Sequence, residues 1–163
     1  MNLIREAYCV FLIICVTVAY QQKDDSAVKY ITVKNIDPLE YSLEHSVSEP
    51  FIAFATFTDS ETHVSNFGQL FVETNGTFND EHQGFAAGFA EGYLTAERTY
   101  QHSYNMMCQV DCSGIAPPEV ERFFEEQNAW IRSEIALKKD TDAMWSFMSF
   151  LVHQFDGLVA GRI

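Results

Sequence analysis

Basic residues are scarce in this chain: 10 Lys and Arg stand against 23 Asp and Glu among 163 residues, a formal charge of −13 at neutral pH. Nucleic-acid binding is driven by Lys and Arg neutralising phosphates, so this balance argues against nucleic acid as a partner. Long apolar runs are also in short supply. The run from Tyr8 to Val18 covers about eleven residues, whereas a membrane-spanning helix needs about 20, so no stable membrane span is expected. Catalytic signatures that can be read from spacing are missing as well. There is no Gly-x-Ser-x-Gly elbow, no phosphate-cradling glycine loop and no His-Glu-x-x-His zinc helix. The histidines His45, His63, His82, His102 and His153 are scattered without metal-ligand spacing, which reads as surface or satisfied residues and requires neither metal nor cofactor. The acidic pairs Asp24-Asp25 and Glu125-Glu126 cannot face each other on a helix, and a solvated surface accounts for them.

The first 19 residues differ in kind from the rest. Arg5 precedes the apolar run, and Thr17-Val18-Ala19 supplies the small residues that a signal peptidase reads, predicting a secretory leader over 1–19 cleaved between Ala19 and Tyr20. An uncleaved anchor is the alternative. Cleavage removes Arg5 and Glu6 and leaves nine basic against 22 acidic residues, again −13. Such acidity fits a solvated surface. It also fits an acidic compartment, where carboxylates, which ordinarily titrate near pH ~4, are partly protonated and self-repulsion falls. The expected location is the secretory pathway, ending in the lysosome or outside the cell.

Cleavage also removes Cys9 and Cys15, leaving Cys108 and Cys112. In an oxidising lumen an even pair points to a disulfide, and residues one helical turn apart fall within the Cα separation of about 4.4–6.8 Å that a disulfide tolerates. Pairing with a cysteine outside the chain is the rival reading, and Cys108 as a nucleophile is a third. Asn75-Gly76-Thr77 is an N-glycosylation sequon in a predicted turn.

Residues 20–163 are enough for one globular domain with a core. Segments 28–33, 51–58 and 68–74 are rich in β-branched and aromatic residues and read as strands, with a turn at Asn35, Asp37 and Pro38 and another at Asn75-Gly76. A long helix follows from an Asn79 or Asp80 cap. It carries Gly84, Gly88 and Gly92 at four-residue spacing beside an aromatic row, Phe85, Phe89, Tyr93, Tyr100 and Tyr104. Residues four apart share a helix face, so one strip is nearly bare and lets another element approach closely. A second helix opens at Pro117-Pro118-Glu119 and carries Val120, Phe124, Ile131 and Ile135 on one face, with Phe123, Trp130 and Leu137 beside them. A third follows a Thr141 or Asp142 cap and is expected to bury Trp145, Met148, Leu151, Val152, Phe155 and Val159. Strands followed by three helices make an α+β arrangement.

The stretch Ala86-Ala87-Gly88-Phe89-Ala90-Glu91-Gly92-Tyr93-Leu94-Thr95 resembles the signature helix of the phospholipase B-like proteins. Further matching blocks keep the family's order: Gly68 to Thr74, Asn105-Met106, Phe123-Phe124, Asn128, Trp130 and Asp156-Gly157-Leu158. The resemblance covers about residues 66 to 161 and implies part of the four-layer αββα fold of N-terminal-nucleophile hydrolases, which act on acyl ester or amide bonds of lipids. In that family the nucleophilic cysteine opens a larger C-terminal piece, so the likeness places this chain in the portion before it. No residue here matches the nucleophile or its supporting groups, and no catalytic residue is assigned. The implied partners are that C-terminal portion and, when the protein is complete, a lipid substrate. A secreted non-catalytic fragment or binding protein, using exposed aromatic surface on the helices, is the competing function.

Overall fold

A computed structural model describes residues 28–44, 50–59, 68–107 and 117–162. Four strands, β1 (Lys29–Ile36), β2 (Leu39–Ser42), β3 (Ala53–Thr58) and β4 (Gln69–Thr74), precede three helices, α1 (Asp80–Met107), α2 (Pro118–Lys138) and α3 (Ala143–Ala160). The protein is therefore α+β, as the sequence implies. The strands form one antiparallel sheet in the order β2-β1-β3-β4.

The turn at Asn35, Asp37 and Pro38 is present, but the chain returns from it as β2, a strand that the sequence reading leaves out. Asn35 organises the reversal, its Oδ1 accepting from the amides of Ile36 (2.9 Å) and Asp37 (3.3 Å). On the returning segment Leu39–Ser42 pairs with β1, with a register shift between Val33 and Asn35. A four-residue segment, Leu-Glu-Tyr-Ser, is too short for its alternation to stand out in sequence.

Alternating residues of the central strands form one apolar face: Ile31 and Val33 of β1, then Ala53, Ala55 and Phe57 of β3. α1 lies across it and contributes Ala86, Phe89, Ala90 and Leu94. Burial of each large aliphatic or aromatic side chain stabilises this interface by about 1.5–3 kcal/mol. Small alanines on both surfaces bring the helix close. The aromatic row divides accordingly. Phe89 is fully buried and packs with Tyr41 and Tyr93 at centroid distances of 5.2 and 6.2 Å, whereas Tyr100 is 68% exposed in the last turns of the helix.

The helix ends follow the capping chemistry in the sequence. Asn79 Oδ1 accepts from the His82 amide (2.8 Å), making Asn79 the cap of α1. Pro117 precedes α2 with Pro118 at its first position, and the Asp142 carboxylate accepts from the Met144 amide (2.9 Å) to open α3.

Candidate functional site

Glycine decides how the helices meet. A Cβ on Gly88 would lie 1.9 Å from the Gln154 carbonyl oxygen, one on Gly92 2.3 Å from that of Leu158, and one on Gly84 2.9 Å from that of Phe150. In return, Gly157 and Gly161 of α3 and its C-cap place their missing side chains 2.0 and 2.3 Å from the carbonyl oxygens of Phe85 and Phe89. Both series ascend together, so α1 and α3 run parallel, backbone against backbone. The bare strip read from the sequence is the seam between these helices.

This contact corrects the face expected for α3. Of the six residues assigned to its interior, Trp145 is buried and Met148 and Val152 are half-buried, but Leu151, Phe155 and Val159 are exposed. The buried positions are Trp145, Ser149 and Gly157. A backbone-to-backbone seam excludes large side chains, so small residues face α1 and the bulky apolar ones turn away from it. α2 likewise buries only Ile135; Phe124 is 65% exposed and Leu137 76%.

Between α2 and α3 those turned-away side chains line an open groove of about 480 Å³, formed chiefly by Phe124, Ile131, Leu151, Val152 and Phe155 with Gln127 and Asn128 at its polar margin. A bidentate pair links the two helices next to Asn128. Arg132 Nη1 and Nη2 donate to the two carboxylate oxygens of Asp156 at 2.9 and 2.6 Å, and Arg132 Nε donates to Asn128 Oδ1 at 2.9 Å. The Asp156 hydrogen bonds raise the guanidinium pKa of Arg132, opposed by partial desolvation.

A second polar cluster ties the start of α1 to the α2–α3 connection. Glu81 Oε1 accepts from Lys139 Nζ (2.6 Å) and Ser149 Oγ (2.9 Å), and His153 Nε2 lies 3.8 Å from Glu81 Oε2. The hydrogen bond from Lys139 holds the Glu81 carboxyl below its ordinary value, with help from Ser149 and the charge of His153 against a desolvation penalty. Ser149, Glu81 and His153 do not form a nucleophilic triad, because the serine hydroxyl donates to the carboxylate and His153 Nδ1 faces the Ser149 carbonyl at 2.8 Å. The cluster binds helices together. The cluster is absent from the sequence reading, because 72 positions of chain separate Glu81 from His153.

The sequon residue Asn75 lies in the turn after β4. Ala19, Tyr20, Cys108 and Cys112 fall outside the described residues, as do His45 and His63. Among the described residues no group of three His, Cys, Asp or Glu side chains is placed to hold a metal, and no helix is long and apolar enough to cross a membrane.

The ordered sequence blocks point to one class. The phospholipase B family model matches residues 53–162, and the chain belongs to that family. Phospholipase-B 81 of Drysdalia coronoides is 38% identical over 79 residues, which cover 48% of this chain and 14% of the snake protein. Phospholipase B-like 1 of Homo sapiens is 36% identical over 85 residues, 52% of this chain and 15% of the human protein. Phospholipase B-like protein C of Dictyostelium discoideum aligns over 91% of this chain at 24% identity, spanning 26% of its own length. The chain thus corresponds to about a quarter or less of these relatives.

Proposed function

We propose that this chain is the N-terminal part of a phospholipase B-like hydrolase that cleaves acyl ester or amide bonds of lipids once joined to its C-terminal portion. The observation that carries this reading is the family match over residues 53–162, which runs through the α1–α3 seam. The uncovered apolar side chains of α2 and α3 support it further: Val120, Phe124, Trp130, Leu151 and Phe155 are exposed, and Phe124, Leu151 and Phe155 line one groove, an apolar surface of the kind that favours burial against another. In this role the chain is a structural part of the enzyme. The sheet and α1 supply the core, and α2 and α3 present the surface that the remaining portion covers.

The same proposal places the protein in the secretory pathway, bound for the lysosome or the exterior. There the leader is removed after Ala19, Tyr20 becomes the first residue, and Cys108 bonds to Cys112. Intact-mass analysis of secreted protein, with and without reduction, reads all three.

The test of function is an assay of the chain alone and of the transcript-encoded longer protein against labelled phospholipid at acidic and neutral pH. Turnover by the longer protein and none by this chain is the expected result. Turnover by this chain that survives a Cys108→Ser, Cys112→Ser double substitution would overturn the inactive-part reading; turnover lost with it would make one of these cysteines the nucleophile. An exposed aromatic face also suits a secreted binding protein, and inactivity of the longer protein would favour that function.

A further inference from the structure

The turn joining β4 to α1 leaves one polar atom of Asn75 uncommitted. The Asn75 amide donates to the Ile52 carbonyl (2.9 Å), extending the β3–β4 ladder by one step, and the Asn75 carbonyl accepts from the Phe78 amide (3.1 Å). Its side-chain Oδ1 accepts from both the Thr77 amide (3.1 Å) and the Thr77 hydroxyl (2.9 Å). Nδ2 donates to no group among the described residues. The backbone is therefore anchored on both sides, the side-chain oxygen is fixed by Thr77, and the nitrogen is free.

Space is available for a large substituent. Gly76 and Thr77 are exposed, and a Cβ added to Gly76 would meet nothing within 4 Å. Gln83 Nε2 donates to the Phe78 carbonyl (2.7 Å), fixing the turn from the helix side without approaching Asn75. Asn75 itself is half-buried, and the exposed Gly76 and Thr77 beside it leave room for a bulky group just beyond the end of β4.

We propose that Asn75 is an N-glycosylation site, whose ligand is an oligosaccharide carried on a polyprenyl pyrophosphate. In the transfer the Asn75 Nδ2–C1 bond forms as the bond between C1 and the pyrophosphate oxygen breaks. The pyrophosphate leaves with the electron pair, and Nδ2 gives up one proton. The sequon requires Thr77 for its hydroxyl, and the folded turn keeps that hydroxyl on Asn75 Oδ1. The inference rests on the secretory reading above, though not on lipid hydrolysis.

The experiment translates the full chain with microsomes, with a second sequon appended at its C-terminus as a reporter of lumenal entry. Asn75→Gln and Thr77→Ala are each expected to remove one discrete mass step, and Thr77→Ser to retain it. Peptide N-glycosidase in heavy-oxygen water converts a glycosylated Asn75 to a labelled aspartate. Compared with an enzyme-free control in the same heavy water, where spontaneous deamidation at the Asn75-Gly76 bond labels both samples alike, the excess label reports glycosylation. A chain modified at the reporter and not at Asn75 overturns the assignment. So does a chain modified at neither, since Asn75 is then never presented to the transferase. Neither result bears on the hydrolase assay, which uses the longer protein.

Discussion

The two seams of α3 are built on opposite principles. Against α1 it presents Gly157 and Gly161 to Gly84, Gly88 and Gly92, and the backbones touch. Against α2 it presents Leu151, Val152 and Phe155 around an open groove, and the two helices are tied by the Arg132–Asp156 bidentate pair and by the edge-on contact of Trp130 with Trp145. Apolar bulk alone thus does not produce close packing here. Removing side chains brings α1 and α3 together, whereas Phe124 and Phe155, which line the groove, remain exposed.

Breaking the tight seam has the largest expected effect. Gly88→Leu drives a side chain into the Gln154 backbone, where no rotamer can relieve the overlap, and should cost about 3 kcal/mol or more against the roughly 1 kcal/mol that leucine gains in helix propensity over glycine. Thermal unfolding beside the parent protein checks this; a wild-type-like Tm would mean that α3 does not rest on the strip.

Loosening the other seam should matter less. Arg132→Met removes the bridge to Asp156, whose partners are 41% and 36% exposed in their side chains, so solvent screening limits the loss to about 1 kcal/mol. A loss equal to that of Gly88→Leu would contradict the division between the seams.

The smallest effect sharpens the comparison through pH. Glu81 sits below its ordinary value of 4.5 and Lys139 above its ordinary 10.5, each chiefly because of the other. A depressed carboxylate contributes stability above its unfolded pKa and loses it as pH falls through the lowered folded value. A raised ammonium contributes below its unfolded pKa and loses it as pH rises through the raised folded value. The bridge therefore acts fully between about pH 4.5 and 10.5. The Tm difference between parent and Glu81→Gln should hold across that window and shrink below it. A difference that grows as pH falls below 4 would contradict the pairing.

Much of this organisation was legible in residues whose signal is local. The caps Asn79 and Asp142, the proline start of α2, three of the four strands and the bare strip of α1 are short-range patterns, and they appear where the sequence places them. The partner of the strip was not legible, because Gly157 and Gly161 lie in a helix whose apolar residues outnumber its small ones and draw attention to the wrong face. β2 was hidden by its brevity. The Glu81 cluster was hidden because Lys139, Ser149 and His153 become neighbours of Glu81 only when α3 docks. The candidate residues Asn75, Cys108 and Cys112 were read from local motifs, whereas the family was read from ordered blocks, which the family match over residues 53–162 supports.

The parallel seam also sets an order of events during synthesis. A parallel helix pair cannot be closed by a tight turn; the chain must travel back first, and α2 makes that journey. Gly88 meets Gln154 across 66 positions of sequence, so the ribosome releases the sheet and α1 well before their partner exists. At about 5–20 residues per second, the glycine face of α1 waits for several seconds in the open. Over that interval the strip stays uncovered, until the backbone of α3 is made and docks on it.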